Sequence, residues 1–310
     1  MAEKEAPVLY EKEALTFEEQ ADRLLERGLT AGKADLIRRL EAVSYYRLSG
    51  YLYPFRQPKT EAFKNGTNLE TVWDRYCFDR RLRVLVLDAI ERIEVSLRTK
   101  VVYHFAHAHG PFGYLHESKL PKLSVTEYLE WRTGLLEETQ RSKESFKKHF
   151  LKKYTAHQNL PLWMAAELMT MGSLLTFFRG VEPEIKRKVA GEYGFPDELM
   201  VSWLRSLNGA RNICAHHSRF WNRILGYEAL LPNKNKFPHW HGEYKLTQNR
   251  SGIIIMICRH MLQLISPTSQ WHTRMEVLFD EYPEIPVTEM GLPENWKQHP
   301  VWAKTKDLNA

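Results

Sequence analysis

Residues 69–108 carry the longest helical pattern in the chain, and this pattern constrains the fold more than any other feature. Its apolar residues recur at three- and four-residue intervals and are Leu82, Val86, Ala89, Ile93, Leu97 and Val101. That spacing places all of them on one face of an α-helix. Gly110-Pro111 follows and predicts the end of the helix. Such a long stripe has to be buried against other elements, so we expect further helices to pack on it.

The remaining sequence also predicts helices rather than strands. Thr16 and Glu19 form a capping-box pattern ahead of Leu24 and Leu25. A second helix is predicted from about Lys33 to Leu48, with a break or bend at Ser49-Gly50. The other predicted helices cover 161–179, 184–193, 251–265 and a segment that begins at Phe195-Pro196-Asp197. We therefore predict an all-α fold.

No low-complexity linker or internal repeat divides the chain, so we expect a single domain over residues 1–310. Within it we distinguish N-terminal helices with the long helix (15–110), further helices (140–265) and a C-terminal arm (266–310). The last 40 residues are rich in Pro and Trp, which predicts that this arm is irregular.

Charge and cysteine content narrow the class of protein. The formal net charge is +6, which favours an acidic partner, and nucleic acid is the commonest one. The three cysteines have no C-x-x-C spacing, which suits a reducing compartment and predicts neither a disulfide framework nor a zinc site. The N-terminus lacks the apolar segment of a secretion signal, and the apolar run 253–258 is too short to span a bilayer. We expect a cytoplasmic protein without a membrane partner.

The segment 211–222, RNICAHHSRFWN, is the strongest functional signal. Arg211, Asn212, His216 and His217 lie within two helical turns. A histidine can move a proton and an arginine can stabilise the charge that builds on phosphate, which is chemistry for cleaving a phosphodiester without a metal or other cofactor. Spacing alone is a weak signal, because Arg98 and His104 on the long helix have a similar separation.

A helical wheel that starts at Leu199 and continues through the motif separates residues 199–219 into two faces. The apolar face is formed by Leu199, Trp203, Leu207, Ala210 and Cys214. The opposite face is polar and without carboxylates, and is formed by Arg205, Asn208, Asn212, His216 and Arg219. This polar face predicts anion binding.

The same wheel distinguishes the two histidines. His216 falls on the polar face, one turn after Asn212, whose amide could orient the ring. His217 falls on the apolar face, which predicts a buried histidine, and we therefore favour His216 as the catalytic residue. Arg211 points well away from His216. It could reach around the helix, meet a histidine of a second copy, or form a buried ion pair with Glu91 or Glu94.

Two other groups of residues need an interpretation. The basic segment 141–153 contains Lys147, Lys148, Lys152 and Lys153, which form either a solvated helix face or, together with Arg205, Arg219 and Arg223, a phosphate-contacting surface. His104, His107 and His109 end the long helix. They lack carboxylate or thiolate partners at ligand spacing, so we predict no metal site there.

The segment RNICAHHSRFWNR resembles the signature of the Abi-like abortive-infection proteins of the AbiD/AbiF group, in the HEPN superfamily. Further similarity covers most of residues 15–300, in LTFEEQADRLLERGL, SYYRLSGYLYPFR, FDRRLRVLVLDAIERIEVSLR, LPLWMAAELMTMGSL and GLPENW. The resemblance implies a HEPN-like helical bundle with additional N- and C-terminal helices. It maps the motif onto Arg211, Asn212 and His216, and the adjacent His217 leaves the choice of histidine open.

The resemblance also implies metal-independent RNA cleavage where two copies of the motif meet, hence a homodimer. It implies a phage-defence or toxin–antitoxin role, with a structured noncoding RNA as a possible partner. A non-catalytic RNA-binding regulator that uses the same basic face is the alternative. Nucleotidyl transfer is less well supported, since the chain has no Gly-rich phosphate loop and no carboxylate pair for a metal.

Overall fold

The computed structural model describes residues 9, 10 and 12–303, and this part of the chain contains α-helices, short 3-10 helices and no strand. The predicted all-α fold is confirmed. The α-helices are α1 (Phe17–Glu26), α2 (Lys33–Val43), α3 (Tyr45–Leu52), α4 (Leu69–His109), α5 (Val125–Arg141), α6 (Ser145–Lys153), α7 (Leu162–Ala165), α8 (Met171–Gly180), α9 (Pro183–Gly191), α10 (Asp197–Ala215), α11 (Ser251–Ile265) and α12 (Trp271–Glu281). Contacts divide the chain into two compact units, Met1–Asp79 and Arg80–Ala310.

In the first unit, α1 begins as predicted and the second helix does not. The Thr16 hydroxyl accepts a hydrogen bond from the Glu19 backbone N–H, and the Glu19 carboxylate accepts one from the Thr16 N–H. The break that we expected at Ser49-Gly50 lies instead at Ser44, which has φ 65°. The Ser44 hydroxyl caps α3 by accepting from the Arg47 N–H. A serine that caps the following helix therefore separates α2 from α3, whereas Gly50 continues the helix.

In the second unit, the predicted apolar stripe of the long helix forms the core. Its six residues, Leu82, Val86, Ala89, Ile93, Leu97 and Val101, are each at most 1% exposed. The helix ends where predicted, because Gly110 takes the left-handed conformation with φ 73°. The helix predicted over 161–179 is divided in two by Thr170, whose hydroxyl caps α8 by accepting from the Ser173 N–H.

The C-terminal arm differs from the irregular segment that we expected, because it contains the 11-residue helix α12. Trp271, Met275 and Leu278 recur at helical spacing and are all buried. The prolines and tryptophans that suggested irregular structure lie mostly after α12, in turns and beside two short 3-10 helices. No helix in the described residues is long and apolar enough to cross a membrane.

Candidate active site at the end of α10

The motif helix α10 buries the face that the wheel predicted. Leu199, Trp203, Leu207, Ala210 and Cys214 are all at most 5% exposed. This face packs on α11, where burial raises the pKa of the Cys258 thiol above its ordinary value, with a smaller contribution from Cys214. The Trp203 indole N–H donates to the Leu230 carbonyl at 2.8 Å. These contacts fix the rotation of α10 and turn its polar residues towards the surface.

Three of the five residues predicted for the polar face are exposed. Arg205, Asn212 and His216 are exposed, whereas Asn208 is half-buried beside the first turn of α8. A Cβ built on Gly172 would lie 3.7 Å from the Asn208 Oδ1, which shows how closely α8 approaches. The part of the face available to a ligand therefore lies at the C-terminal end of α10.

The helix ends at Ala215, and this changes the position of His217. The His217 N–H donates to the Cys214 carbonyl at 3.1 Å and the Ser218 N–H donates to the Ile213 carbonyl at 3.0 Å. These two bonds define a Schellman turn, with His217 left-handed at φ 57° where glycine is usual. His217 is exposed, so the prediction that it lies on the buried face is wrong. The wheel does not extend past Ala215, and it therefore does not place Arg219 either, which is half-buried.

Arg211 is half-buried and forms no ion pair with any residue that the structure describes. The ion pair considered with Glu94 is absent, because Glu94 pairs with Arg98 at 2.6 Å. The Arg211 Nη1 donates to the Asn212 Oδ1 at 3.4 Å. The guanidinium thus keeps most of its donors available to an anion.

His216 is not oriented by Asn212 as we expected. The Asn212 Oδ1 accepts from Arg211 instead, and within the described residues the His216 ring makes no hydrogen bond. The structure therefore places Arg211, Asn212, His216 and His217 together at the C-terminal end of α10, and no described residue holds the His216 ring by a hydrogen bond.

The left-handed conformation of His217 leads to a stability prediction. A side chain in this conformation costs about 1 kcal/mol relative to glycine. We expect His217→Gly to be more stable than His217→Ala by about that amount in denaturant unfolding followed by circular dichroism. At His216, where φ is −85°, the same pair of substitutions should give the opposite order. Equal stabilities of the two His217 variants would contradict the turn.

The other histidines that we considered as metal ligands each lie against another polar group. His104 pairs with Glu192, the His107 Nδ1 hydrogen-bonds the Tyr103 carbonyl at 2.8 Å, and the His109 Nε2 lies 3.5 Å from Glu182. Hydrogen bonds from Lys100 and His104 lower the pKa of Glu192. Among the described residues, no group of three or more His, Cys, Asp or Glu side chains is arranged to hold a metal. Arg98 and His104, which have a spacing similar to the motif, thus each contact a glutamate, Glu94 and Glu192 respectively.

The basic residues predicted to bind RNA are not equivalent. Arg205 and Arg223 are exposed and form no ion pair with a described residue. Lys148, Lys152 and Lys153 are exposed on α6, whereas the half-buried Lys147 donates to the carbonyls of Gln140 and Ser142 at 2.9 and 3.0 Å. Lys147 therefore helps to close the end of α5 and contributes less charge to the surface.

The segment after the motif is held by the C-terminal arm, which the sequence did not indicate. The Asn222 Nδ2 donates to Glu289 at 3.1 Å, and the Arg250 Nη1 donates to the Asn222 carbonyl at 2.8 Å. A Cβ on Gly252 would lie 2.6 Å from the Leu292 Cγ, so the arm fits against α11 only because this residue is glycine. Two segments, one at Arg250 and one at Glu289, thus hold the chain that follows the histidines.

A cluster of two buried histidines, His260 and His299, and the half-buried His239 lies beneath α10. His260 of α11 is stacked 6.1 Å from His239 and lies 5.9 Å from Trp203, and Trp240 lies 6.5 Å from His299. Burial, and to a lesser extent repulsion from His239, lowers the pKa values of His260 and His299 to about 4. These residues come from three separate elements, so no spacing in the sequence could have identified the cluster.

Comparison with protein families gives a match that includes the whole motif. Residues 38–222, more than half of the chain, match the model of the family described as Abi-like protein. No curated protein and no solved structure matches the chain.

Proposed function

Because the chain belongs to the Abi-like family, whose membership points to abortive infection, we propose that it is an endoribonuclease acting as an abortive-infection or toxin–antitoxin effector in phage defence. We assign it to the AbiD/AbiF group of the HEPN superfamily, since Arg211, Asn212 and His216 follow the order of that superfamily's motif. The observation that carries the proposal is the end of α10, where Arg211 forms no ion pair with a described residue and His216 is exposed. After Glu198, α10 itself carries no carboxylate.

The proposed reaction needs only one group that transfers protons and one group that stabilises negative charge on the phosphate. The ribose 2′-oxygen attacks the adjacent phosphorus, a P–O2′ bond forms and the P–O5′ bond breaks. The proton leaves the 2′-hydroxyl and a proton reaches the departing 5′-oxygen, and His216 takes one or both of these roles. Arg211 stabilises the charge on the phosphorane-like transition state. The products are a 2′,3′-cyclic phosphate and a 5′-hydroxyl, and DNA cannot react because it lacks the 2′-hydroxyl.

A homodimer would complete such a site. The attraction between an arginine and a phosphate is weak in water, and it becomes strong where water is excluded. Arg211 is half-buried, whereas Asn212, His216 and His217 are exposed, and the His216 ring makes no hydrogen bond with a described residue. We propose that the ends of two α10 helices meet near a two-fold axis, so that two arginines and two histidines enclose one phosphate.

RNA would reach this site along the basic residues. We propose that Arg205, Arg219 and Arg223 contact phosphates near the motif and that Lys147, Lys148, Lys152 and Lys153 extend the contact, with a structured noncoding RNA as the regulator. Sequencing the nucleic acid that copurifies with the protein would identify that RNA. The alternative, an RNA-binding regulator that cuts nothing, is favoured by one observation: no described residue orients His216.

We expect cleavage to continue in excess EDTA, because Arg211 supplies the charge stabilisation that a metal ion would otherwise give. The measurement uses an unstructured RNA, so that chelation does not change its fold. Fragments should be labelled directly at the 5′ end by a kinase, and a single 2′-deoxy nucleotide at the cleaved position should block the reaction.

Three results would contradict parts of this proposal. Complete loss of cleavage in EDTA, restored by one divalent ion, would overturn the metal-independent mechanism. Fragments with 5′-phosphates would overturn attack by the 2′-hydroxyl. Tight RNA binding without any cleavage would establish the non-catalytic regulator.

A further inference from the structure

A groove of about 600 Å³ lies on the second unit, and no residue of the motif lines it. Its walls are aromatic and aliphatic side chains, including Tyr103 and His107 of α4 and Trp163 of α7. Tyr103 is 58% exposed and Trp163 is 49% exposed, which is high for rings of this size. The volume lies within the range of ordinary ligand sites.

The aromatic rings indicate what kind of ligand the groove fits. The His107 ring lies 4.1 Å from the Tyr103 ring, so these two rings form one side of the groove, and Trp163 adds another ring surface. Exposed rings of this kind are the usual stacking platforms for nucleobases in single-stranded RNA. A second groove, between α4 and α12, has about 390 Å³ and is lined by aliphatic and arginine side chains without any ring. The two grooves therefore differ in ring content.

Charge inside the aromatic groove does not favour a phosphate. Arg98 lines it, but its guanidinium is bound to Glu94 at 2.6 Å and to the Met169 carbonyl at 3.2 Å. Glu167 also lines the groove and is exposed. A neutral flat ring fits these walls better than an anion does.

Positive charge lies close by, on α6. Pro111 lines the groove, and the neighbouring Phe112 stacks on His157 at 4.7 Å with the rings 14° apart. His157 in turn contacts Phe150 of α6, the helix that carries the exposed lysines. Lys153 lies over the Tyr154 ring at 5.2 Å and pairs with no carboxylate in the described residues. Two ring contacts thus connect Phe112, the chain neighbour of a residue that lines the groove, to a cationic helix.

We propose that this groove binds an unpaired base of a single-stranded RNA, while the α6 lysines contact the neighbouring phosphates. The inference rests on the proposed function only in that the ligand is RNA. It adds a second contact region, separate from the motif, that distinguishes unpaired from paired RNA because a base in a duplex cannot enter the groove.

The test measures binding of a short single-stranded RNA and of its duplex by fluorescence anisotropy. We expect Trp163→Ala and Tyr103→Ala each to weaken single-strand binding about tenfold, since a stacked base contributes 1–3 kcal/mol by alanine substitution. Binding of the duplex should not change. The matched control is Val277→Ala, which removes an exposed apolar side chain from the groove without rings and should leave both affinities unchanged.

Two further measurements separate stacking from phosphate contact. A single 2-aminopurine in the RNA should lose fluorescence on binding to the unmodified protein and keep it with Trp163→Ala. The salt dependence of affinity should not change in Trp163→Ala, whereas replacing the four α6 lysines with glutamine should reduce it.

Each outcome decides the proposal. Unchanged single-strand affinity in both aromatic variants would overturn it, even if the protein binds and cleaves RNA as proposed. Conversion of a dimer into a monomer by Trp163→Ala, with RNA affinity unchanged, would assign the groove to a second copy of the chain. Absence of RNA binding by the unmodified protein would overturn this inference together with the proposed function.

Discussion

Arg211→Ala and His216→Ala are each expected to reduce RNA cleavage by at least about a hundredfold, because each removes one of the two groups that the reaction needs. The reason is structural as well as chemical. Among the described residues Arg211 forms no ion pair and only a long hydrogen bond of 3.4 Å to the adjacent Asn212, and the His216 ring makes no hydrogen bond, so we expect neither substitution to destabilise the fold strongly. Helical circular dichroism and the melting temperature should stay close to those of the unmodified protein.

The matched control is Arg205→Ala, which removes an exposed arginine from the same face of α10. We expect it to weaken RNA binding with little effect on the cleavage rate of bound RNA, measured in single turnover. If His217→Ala abolishes cleavage and His216→Ala does not, the catalytic histidine is His217. Full activity of Arg211→Ala would show that Arg211 does not stabilise the transition state.

A mixture of the two inactive proteins tests the proposed homodimer. If the site is shared, dimers that combine an Arg211→Ala subunit with a His216→Ala subunit retain one complete set of groups, and part of the activity should return. A fully active protein that is strictly monomeric by light scattering at the assay concentration would exclude the shared site.

Stability should fall steeply between pH 6.5 and pH 4 because of the histidines buried beneath α10. An unfolded chain binds protons on these imidazoles near pH 6.5, whereas the folded protein does so only near pH 4, the pKa of both His260 and His299. The unfolded chain therefore binds more protons throughout this range, and acidification favours unfolding. Each histidine contributes up to about 3 kcal/mol at neutral pH that is lost by pH 4.

Denaturant unfolding as a function of pH measures this effect. Carboxylates also titrate near pH 4, so the informative quantity is the difference between the unmodified protein and His260→Phe, which keeps a ring among Trp203 and Trp240 and cannot bind a proton. That variant should lose less stability on acidification. The exposed His149→Ala should follow the unmodified protein. Equal pH profiles for all three proteins would show that His260 does not couple acid to unfolding.

Sequence reasoning succeeded where one regular helix was concerned. The stripe of α4 and the buried face of α10 follow from the periodicity of the α-helix alone, and α11 begins and ends at the predicted residues, Ser251 and Ile265. The match of residues 38–222 to the Abi-like family agrees with the resemblance that the motif indicated.

The errors occurred at the ends of helices, where side-chain hydrogen bonds and backbone turns replace periodicity. Ser44 and Thr170 interrupt segments that read as continuous helices, because their hydroxyls cap the helices that follow. The turn at His217 carries no glycine, which is the usual signal for a left-handed residue after a helix. The wheel therefore extended past the end of α10 and assigned His217 to the buried face.

The spacing of residues along the sequence could not predict features that combine distant segments. The aromatic groove combines Tyr103 with Trp163, and the histidine cluster combines three elements of the second unit. Each pair of elements is brought together by tertiary packing, for which a single sequence offers no periodic signal. The catalytic and RNA-binding roles of the motif residues stay predictions.

The contacts of the C-terminal arm with the chain after the motif have a consequence during synthesis on the ribosome. Asn222 is bound to Glu289, 67 residues later, and Thr247 donates to the carbonyl of Gly291. The ribosome thus completes the motif well before it completes the residues that hold the following segment. A nascent chain cannot assemble this part of the molecule until its arm has emerged. For a protein that we propose to cut RNA, this order delays maturation of the site until residues 289–291 have been translated.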